Sequence, residues 1–286
     1  MGFDAAVLAR AILKLADKEG EEPGIGVQDV HGLAAAHGVS CGDVERAALK
    51  AGVAPRRYSR NLGSIGMEGQ ERLLRATVCV VGLGGLGGYV LEGLARMGVG
   101  HLILVDEDEF EETNLNRQVL SVTPNLGHPK VRAAIERLAL VNDAVEATGM
   151  ETRASAANVG ELLAGAEVVV DCLDSLPSRL MLQDAAQGAG IPFVHGSVAG
   201  FLGQVMTILP GDAGLRALYP PGRPLPERGA EAELGTPAAT PMAVAAWQIQ
   251  EVVKLLLAKG ELLRNRLLVM DMESLTIHLV SVVEPS

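Results

Sequence analysis

The chain has 286 residues, close to half of them apolar, and a formal charge of -11. That length allows one large domain with a small appendage, or two modest domains, and the apolar share supports a sizeable core. The acidic balance argues against general binding to nucleic acid or to anionic membranes. Cys41, Cys79 and Cys172 lie too far apart in sequence to form a thiol redox motif or a paired structural zinc site.

The opening residues carry acids early and lack a basic-then-apolar signal layout. No apolar run is both long and glycine-poor enough to span a bilayer. A cytoplasmic protein with no membrane contact is expected. Ala5, Leu8, Ile12 and Leu15 recur at helical spacing and predict a helix over 5–18. A second helix is expected over 27–36, and a third short one after Ser40, whose hydroxyl can cap it. Residues 1–53 thus read as a helical accessory domain. Its second turn resembles a helix-turn-helix, but the unit is not visibly basic, and no nucleic-acid partner is expected. Arg56, Arg57 and Arg60 cluster around Tyr58, and a helix is predicted over 67–75.

Strand and helix then alternate. "TVCVV" is an apolar strand that ends in the glycine-rich "VGLGGLGG", and a helix follows through "YVLEGLARMG". "HLILVD" is a second strand, "HPKVRAAIERLALVN" a helix, "AVEATGM" a third strand and "AEVVVDCLD" a fourth. Another helix leads into "IPFVHGSVAG" and "GQVMTIL". The rhythm predicts an α/β fold: a Rossmann-like, doubly wound, mostly parallel sheet. Residues 210–241 are dense in Pro, Gly and Ala and read as a long crossover loop punctuated by Arg216, Arg223 and Arg228. A long helix follows, with Val244, Ile249, Val252, Val253 and Leu256 on its buried face and Met242 and Trp247 also expected in the core. A closing hairpin supplies a C-terminal antiparallel extension.

Gly82, Gly84 and Gly87 match G-x-G-x-x-G, with Gly85 as an extra glycine. The loop follows an apolar strand, opens a helix, and has Asp106 at the end of the next strand. Glycines let the backbone approach an anion, the helix N-terminus offers unpaired N–H groups, and Asp106 can accept from ribose hydroxyls. An adenosine-type ligand is expected. The loop alone does not choose between NAD, FAD and ATP, and by itself favours the first two.

Asn114, Arg117, Gln118 and Lys130 shift that choice. A triphosphate and the charge developing on its α-phosphate need cations, and arginine grips phosphate oxygens through two parallel bonds. Lys130 sits in the first turn of a helix, where the dipole disfavours a cation and a phosphate ligand would give it a reason. Asp174 follows the fourth strand at its carboxyl end, where it can hold Mg²⁺ or cap the next helix. His195 reads as a structural or substrate-neighbouring histidine. Cys172 reads as a small core residue.

With these motifs in hand, the stretch from 54 to the C-terminus resembles the ubiquitin-activating-enzyme-like superfamily, and most of all its MoeB/ThiF/HesA adenylyltransferase branch. "RYSRN", "VVGLGGLGG", "LVDEDEFEETNLNRQ", "GHPKV" and "VVDCLDS" occur in the family's order. The resemblance implies a homodimeric ATP- and Mg²⁺-dependent enzyme. Such an enzyme adenylates the C-terminal carboxylate of a small ubiquitin-like carrier ending in Gly-Gly, as in thiamine or molybdopterin synthesis. It assigns Gly82, Gly84, Gly85 and Gly87 to the nucleotide loop and Asp106 to the ribose. Asn114, Arg117, Gln118 and Lys130 go to the phosphates, Asp174 to magnesium, and Arg60 to the partner subunit's ATP. Catalysis would rest on Arg60, Arg117, Lys130 and Asp174. Most relatives carry two C-x-x-C zinc pairs near the last long helix. This sequence has no cysteine beyond Cys172, so a variant without the structural zinc is expected, and the crossover loop offers no thioester-forming cysteine. Alternatives that remain open are an NAD- or FAD-dependent oxidoreductase, a peptide-activating adenylyltransferase, and a degenerate binding module.

Overall fold

A computed structural model describes residues 5–17, 22–220, 222, 225 and 229–282. Arg223 and Arg228 lie outside the described residues. The chain begins with α1 (Ala5–Leu15), β1 (Gly24–Ile25), α2 (Val27–His37), α3 (Cys41–Lys50) and β2 (Ala54–Pro55). Ser40 caps α3 as its side chain promised. It accepts from the Asp43 N–H while Asp43 reaches back to the Ser40 N–H, satisfying two helix-end donors at once. Leu8, Ile12, Ile25, Val30, Leu33, Val44, Ala48 and Val53 form a separate small core between these helices. The first helix stops at Leu15, three residues short of expectation, and the two-residue parallel pair of β1 with β2 was not foreseen.

Next come α4 (Ser59–Leu73), β3 (Thr77–Val81), α5 (Gly87–Met97), β4 (His101–Asp106), α6 (Lys130–Val141), β5 (Glu146–Glu151), α7 (Val159–Leu162), β6 (Val168–Asp171) and α8 (Leu176–Gly188). Helix α4 starts eight residues before the predicted helix and kinks at Gly66, whose φ of 69° breaks the helical path. The chain continues through β7 (Phe193–Ala199), β8 (Leu202–Ile208), α9 (Leu215–Leu218), α10 (Glu231–Leu234), α11 (Ala239–Leu257), β9 (Arg266–Asp271) and β10 (Thr276–Ser281). The crossover stretch therefore contains two short helices, and its last residues already belong to α11.

One eight-stranded sheet runs in the order β10-β9-β8-β7-β6-β3-β4-β5. The five strands from β7 to β5 are parallel, and β8, β9 and β10 add on antiparallel. Strand alternation divides the core into two layers. Val78, Val80, Leu102, Leu104, Val168 and Val170 face one cluster, while Cys79, Val81, Ile103, Val105 and Val169 face the other. Helices cover both faces, which is why β3, β4 and β6 read as unbroken apolar runs. On α11, Val244, Val252, Val253 and Leu256 are buried and Ile249 is partly so. Met242 and Trp247 do not join the core; they are 49% and 39% exposed. Their places on the helix are outside the stripe that meets the sheet, and Gln248 and Glu251 occupy that stripe instead. Gln248 donates to the Asp171 carbonyl at 2.8 Å, and Glu251 accepts from the Leu263 N–H at 2.8 Å and from Thr207. Among the described residues no helix is long and apolar enough to cross a membrane.

Candidate active site

The chain leaves β3 for β4 and β5 on one side, and β6 for β7 on the other. The switch in strand order thus falls between β3 and β6, and open α/β sheets bind ligands outside the carboxyl ends of the strands at such a point. A cavity of about 420 Å³ opens there. Gly82, Gly84 and Gly85 form its floor. Gly82 has a φ of 92°, and a Cβ on it would lie 2.6 Å from the Cys172 carbonyl oxygen. Only glycine permits both that backbone turn and the close approach of the β3 and β6 ends. Gly87 begins α5 and does not line the cavity; it lets the helix start close beneath the loop.

Asp106 ends β4 on the cavity wall, with Oδ2 accepting the Leu83 N–H at 2.6 Å and Oδ1 accepting the Asp108 N–H at 2.8 Å. Burial pushes its carboxyl above the usual range, while Lys130 and these N–H groups pull it back. Two oxygens with lone pairs to spare still suit a hydroxyl donor. Lys130, only 6% exposed, reaches the cavity from the first turn of α6 and ion-pairs with Asp108 at 2.8 Å. Arg117 is half-buried on the same wall, its Nη1 steadied by the Thr113 carbonyl and Asn116 Oδ1, each at 2.8 Å. Gln118 is buried on the cavity wall with its amide nitrogen beside Gly84, while its shielded Oε1 has no hydrogen-bond partner.

Asp174 lies exposed in the loop between β6 and α8, on the rim that this cavity shares with a second one of about 440 Å³. The cap of α8 is Ser175, which leaves Asp174 out of that task. Arg179 and Val198 also face both cavities. Arg179 is buried and held by the Gly196 carbonyl at 2.8 Å and the Leu173 carbonyl at 2.6 Å. The second cavity is walled largely by Leu176, Leu202, Leu215, Leu218 and Tyr219, with His195 among its lining. His195 Nδ1 meets Asp171 Oδ2 at 2.7 Å, and burial holds the imidazole below its ordinary range against that carboxylate's pull. Cys172 is buried, with its thiol pushed well up by burial and then by Asp171. It touches both the core and the cavity.

Seven of the expected residues therefore share one cavity: Gly82, Gly84, Gly85, Asp106, Arg117, Gln118 and Lys130, with Asp174 at its rim. Asn114 does not line it. Its Oδ1 accepts the Glu111 N–H at 3.0 Å and closes the turn that presents Arg117 and Gln118, so its amide is spent locally. Arg60 is exposed near the start of α4 and does not line the cavity of its own chain. Arg179 was missed, although it gave the same signal as Lys130, a cation near the start of a helix without acids in its first turn. Arg153, Glu107 and Asp108 on the rim were missed as well; single charges in loops carry no periodicity to mark them.

This cavity fits a nucleoside triphosphate and a divalent cation. It offers a carboxylate at the end of β4, two cations above a glycine floor and a rim carboxylate of the kind Mg²⁺ takes together with phosphates. The comparisons agree with the fold and the class. The ThiF family model matches residues 58–286. The chain is 40% identical over 229 residues to the SAMP-activating enzyme E1 of Haloferax volcanii, covering 78% of this chain and 84% of that protein. It is 39% identical over 223 residues to the sulfur carrier protein adenylyltransferase of Thermus thermophilus, covering 75% and 82%. Among solved structures, the microcin C7 biosynthetic enzyme MccB in complex with N-formylated MccA superposes with a TM-score of 0.71 at 21% identity, over 97% of this chain and 88% of that one. With the switch-point cavity, the family match and these relatives together, the chain belongs to the ThiF family and is an adenylyltransferase.

Proposed function

We propose that the protein adenylates the C-terminal carboxylate of a small ubiquitin-like sulfur carrier, using ATP and releasing pyrophosphate. The observation that carries this reading is the joining of two unlike cavities at Asp174 and Arg179, one polar and glycine-floored, the other largely apolar. ATP occupies the first. An extended tail ending in Gly-Gly enters through the second and brings its carboxylate to the shared rim. One carboxylate oxygen attacks the α-phosphorus, the bond to the bridging oxygen breaks, and pyrophosphate leaves with that electron pair. The carboxylate is already ionised at neutral pH, so no general base is required.

Catalysis is then alignment and charge neutralisation. Gly82, Gly84 and Gly85 admit the phosphates, Asp106 accepts from the ribose, and the Gln118 amide N–H beside Gly84 donates to a phosphate oxygen. Lys130 exchanges Asp108 for phosphate oxygens, and Arg117 adds a second cation. Magnesium held by Asp174 would neutralise phosphate charge. Arg60 acts in trans within a homodimer, which accounts for a conspicuous arginine that does not reach its own cavity. Residues 1–53 act as an accessory domain. Cytoplasmic sulfur-carrier activation is the expected setting.

ATP–pyrophosphate exchange with carriers ending in Gly-Gly tests the reading. Exchange that depends on the carrier and on Mg²⁺, and that is lost in Arg117→Ala and Lys130→Met, supports it. Tight NAD binding without exchange would replace it with the oxidoreductase alternative.

A further inference from the structure

We propose that His31, Cys41 and Asp143 form a transition-metal site, suited to Zn²⁺, that fastens the N-terminal helical unit to the nucleotide-binding body. The three residues come from separate segments: α2, the first position of α3, and the turn after α6. One ligand atom of each lies within 4.8 Å of the others. Zinc bonds of about 2.0–2.3 Å set donors roughly 3–4 Å apart in a tetrahedron, so small side-chain rotations close the site. Imidazole, thiolate and carboxylate are a donor set for zinc and its neighbours, not for Mg²⁺ or Ca²⁺.

The surroundings already orient the carboxylate. Asp143 Oδ1 accepts from Arg57 Nη2 at 2.7 Å, while Oδ2 is hydrogen-bonded to His31 Nε2, a contact that a metal ion would take over. Arg57 is itself fixed by buried Glu45, at 3.0 Å, and by Asn142 Oδ1. Outer partners of this kind commonly hold a metal-bound carboxylate with one oxygen presented. Backbone packing sets the thiol in place. A Cβ on Gly42 would lie 2.7 Å from the Ala144 carbonyl, so α3 seats its first turn directly on the 143–144 turn. His31 and Asp143 are exposed and Cys41 is half-buried, leaving one side open for ion entry and for water as the fourth ligand. None of the three lines either cavity of the adenylation site. The absence of C-x-x-C pairs gave no sign of this cluster, because its donors are joined only by tertiary packing.

The test uses the tag-free full chain, stripped with a chelator and titrated with Zn²⁺ and Co²⁺ without nucleotide or magnesium. One ion per chain is expected, with a thiolate-to-cobalt charge-transfer band. His31→Ala, Cys41→Ser and Asp143→Asn should each weaken affinity by roughly 100-fold or more, larger than typical losses from outer partners. Zinc should also protect Cys41 of the wild type from alkylation, read by peptide mass mapping. Folded wild-type protein that shows no charge-transfer band, or zinc binding unchanged in Cys41→Ser, overturns the site. Pyrophosphate exchange in the same samples reports separately on the adenylation reading.

Discussion

Lys130 Nζ lies 2.8 Å from Asp108 Oδ2 on the wall of the switch-point cavity, and Lys130 is buried while Asp108 is largely exposed. The lysine is fixed and its partner is able to swing away. On the proposed function, nucleotide binding competes with Asp108 for one ammonium. Asp108→Asn should tighten ATP binding several-fold, because the neutral amide holds the lysine less strongly. Lys130→Met should lower kcat/KM for pyrophosphate exchange by about 10²–10³, the scale for losing one preorganised donor. Calorimetry on both variants checks the first expectation and exchange kinetics the second; weaker ATP binding by Asp108→Asn would refute the competition.

The subunit origin of Arg60 can be read by complementation. Arg60→Ala and Lys130→Met should each be nearly inactive alone. If sites are shared across a two-fold axis, mixing equal amounts after reversible dissociation recovers about a quarter of wild-type activity, since half the dimers are mixed and each has one intact site. Mixtures that stay inactive while heterodimers are shown to form would place Arg60 in the same site as the Lys130 of its own subunit and refute action in trans.

Gly87→Ala tests the glycine loop as architecture. A Cβ there would lie 1.8 Å from the Gly82 carbonyl oxygen, a backbone atom that cannot rotate away. The cost should be about 3 kcal/mol, at the upper end for overpacking, with lost nucleotide binding. Gly188→Ala, where an added Cβ meets nothing within 4 Å, is the control and should not destabilise. Urea unfolding of the two variants distinguishes them.

His195 sets a pH dependence. Its folded value is below the ordinary 6.5, chiefly through burial, with Asp171 opposing. The unfolded chain then binds more protons than the native state near and below that pH. The stabilising contribution is full above pH 6.5 and is lost as pH falls toward the folded value. His195→Asn keeps a donor for Asp171 and removes the titration. Between about pH 7.5 and about pH 5 the wild type should lose more stability than the variant, measured by urea midpoints at constant m; equal losses would assign the effect elsewhere.

Much of this was legible in one dimension. The apolar runs of β3, β4 and β6, the glycines between β3 and α5, and the acid ending β4 are local signals, and local sterics and periodicity fix what they become. Lys130 stood out because a cation near a helix start opposes the dipole. Other features depend on partners far along the chain. Met242 and Trp247 look like core residues, yet α11 turns Gln248 and Glu251 to the sheet because Asp171, Thr207 and Leu263 supply their hydrogen bonds. Asn114 carries the same family motif as Arg117, but its amide closes a turn.

The sequence by itself determined the doubly wound body, the glycine loop between β3 and α5 and the chemical character of the residues around it, because adjacent residues are enough to specify strand, turn and helix. Tertiary structure alone decided that Arg179 joins two cavities and that His31, Cys41 and Asp143 meet. Those juxtapositions come from the packing of separate helices, strands and turns, and spacing along the chain does not set their distance in space.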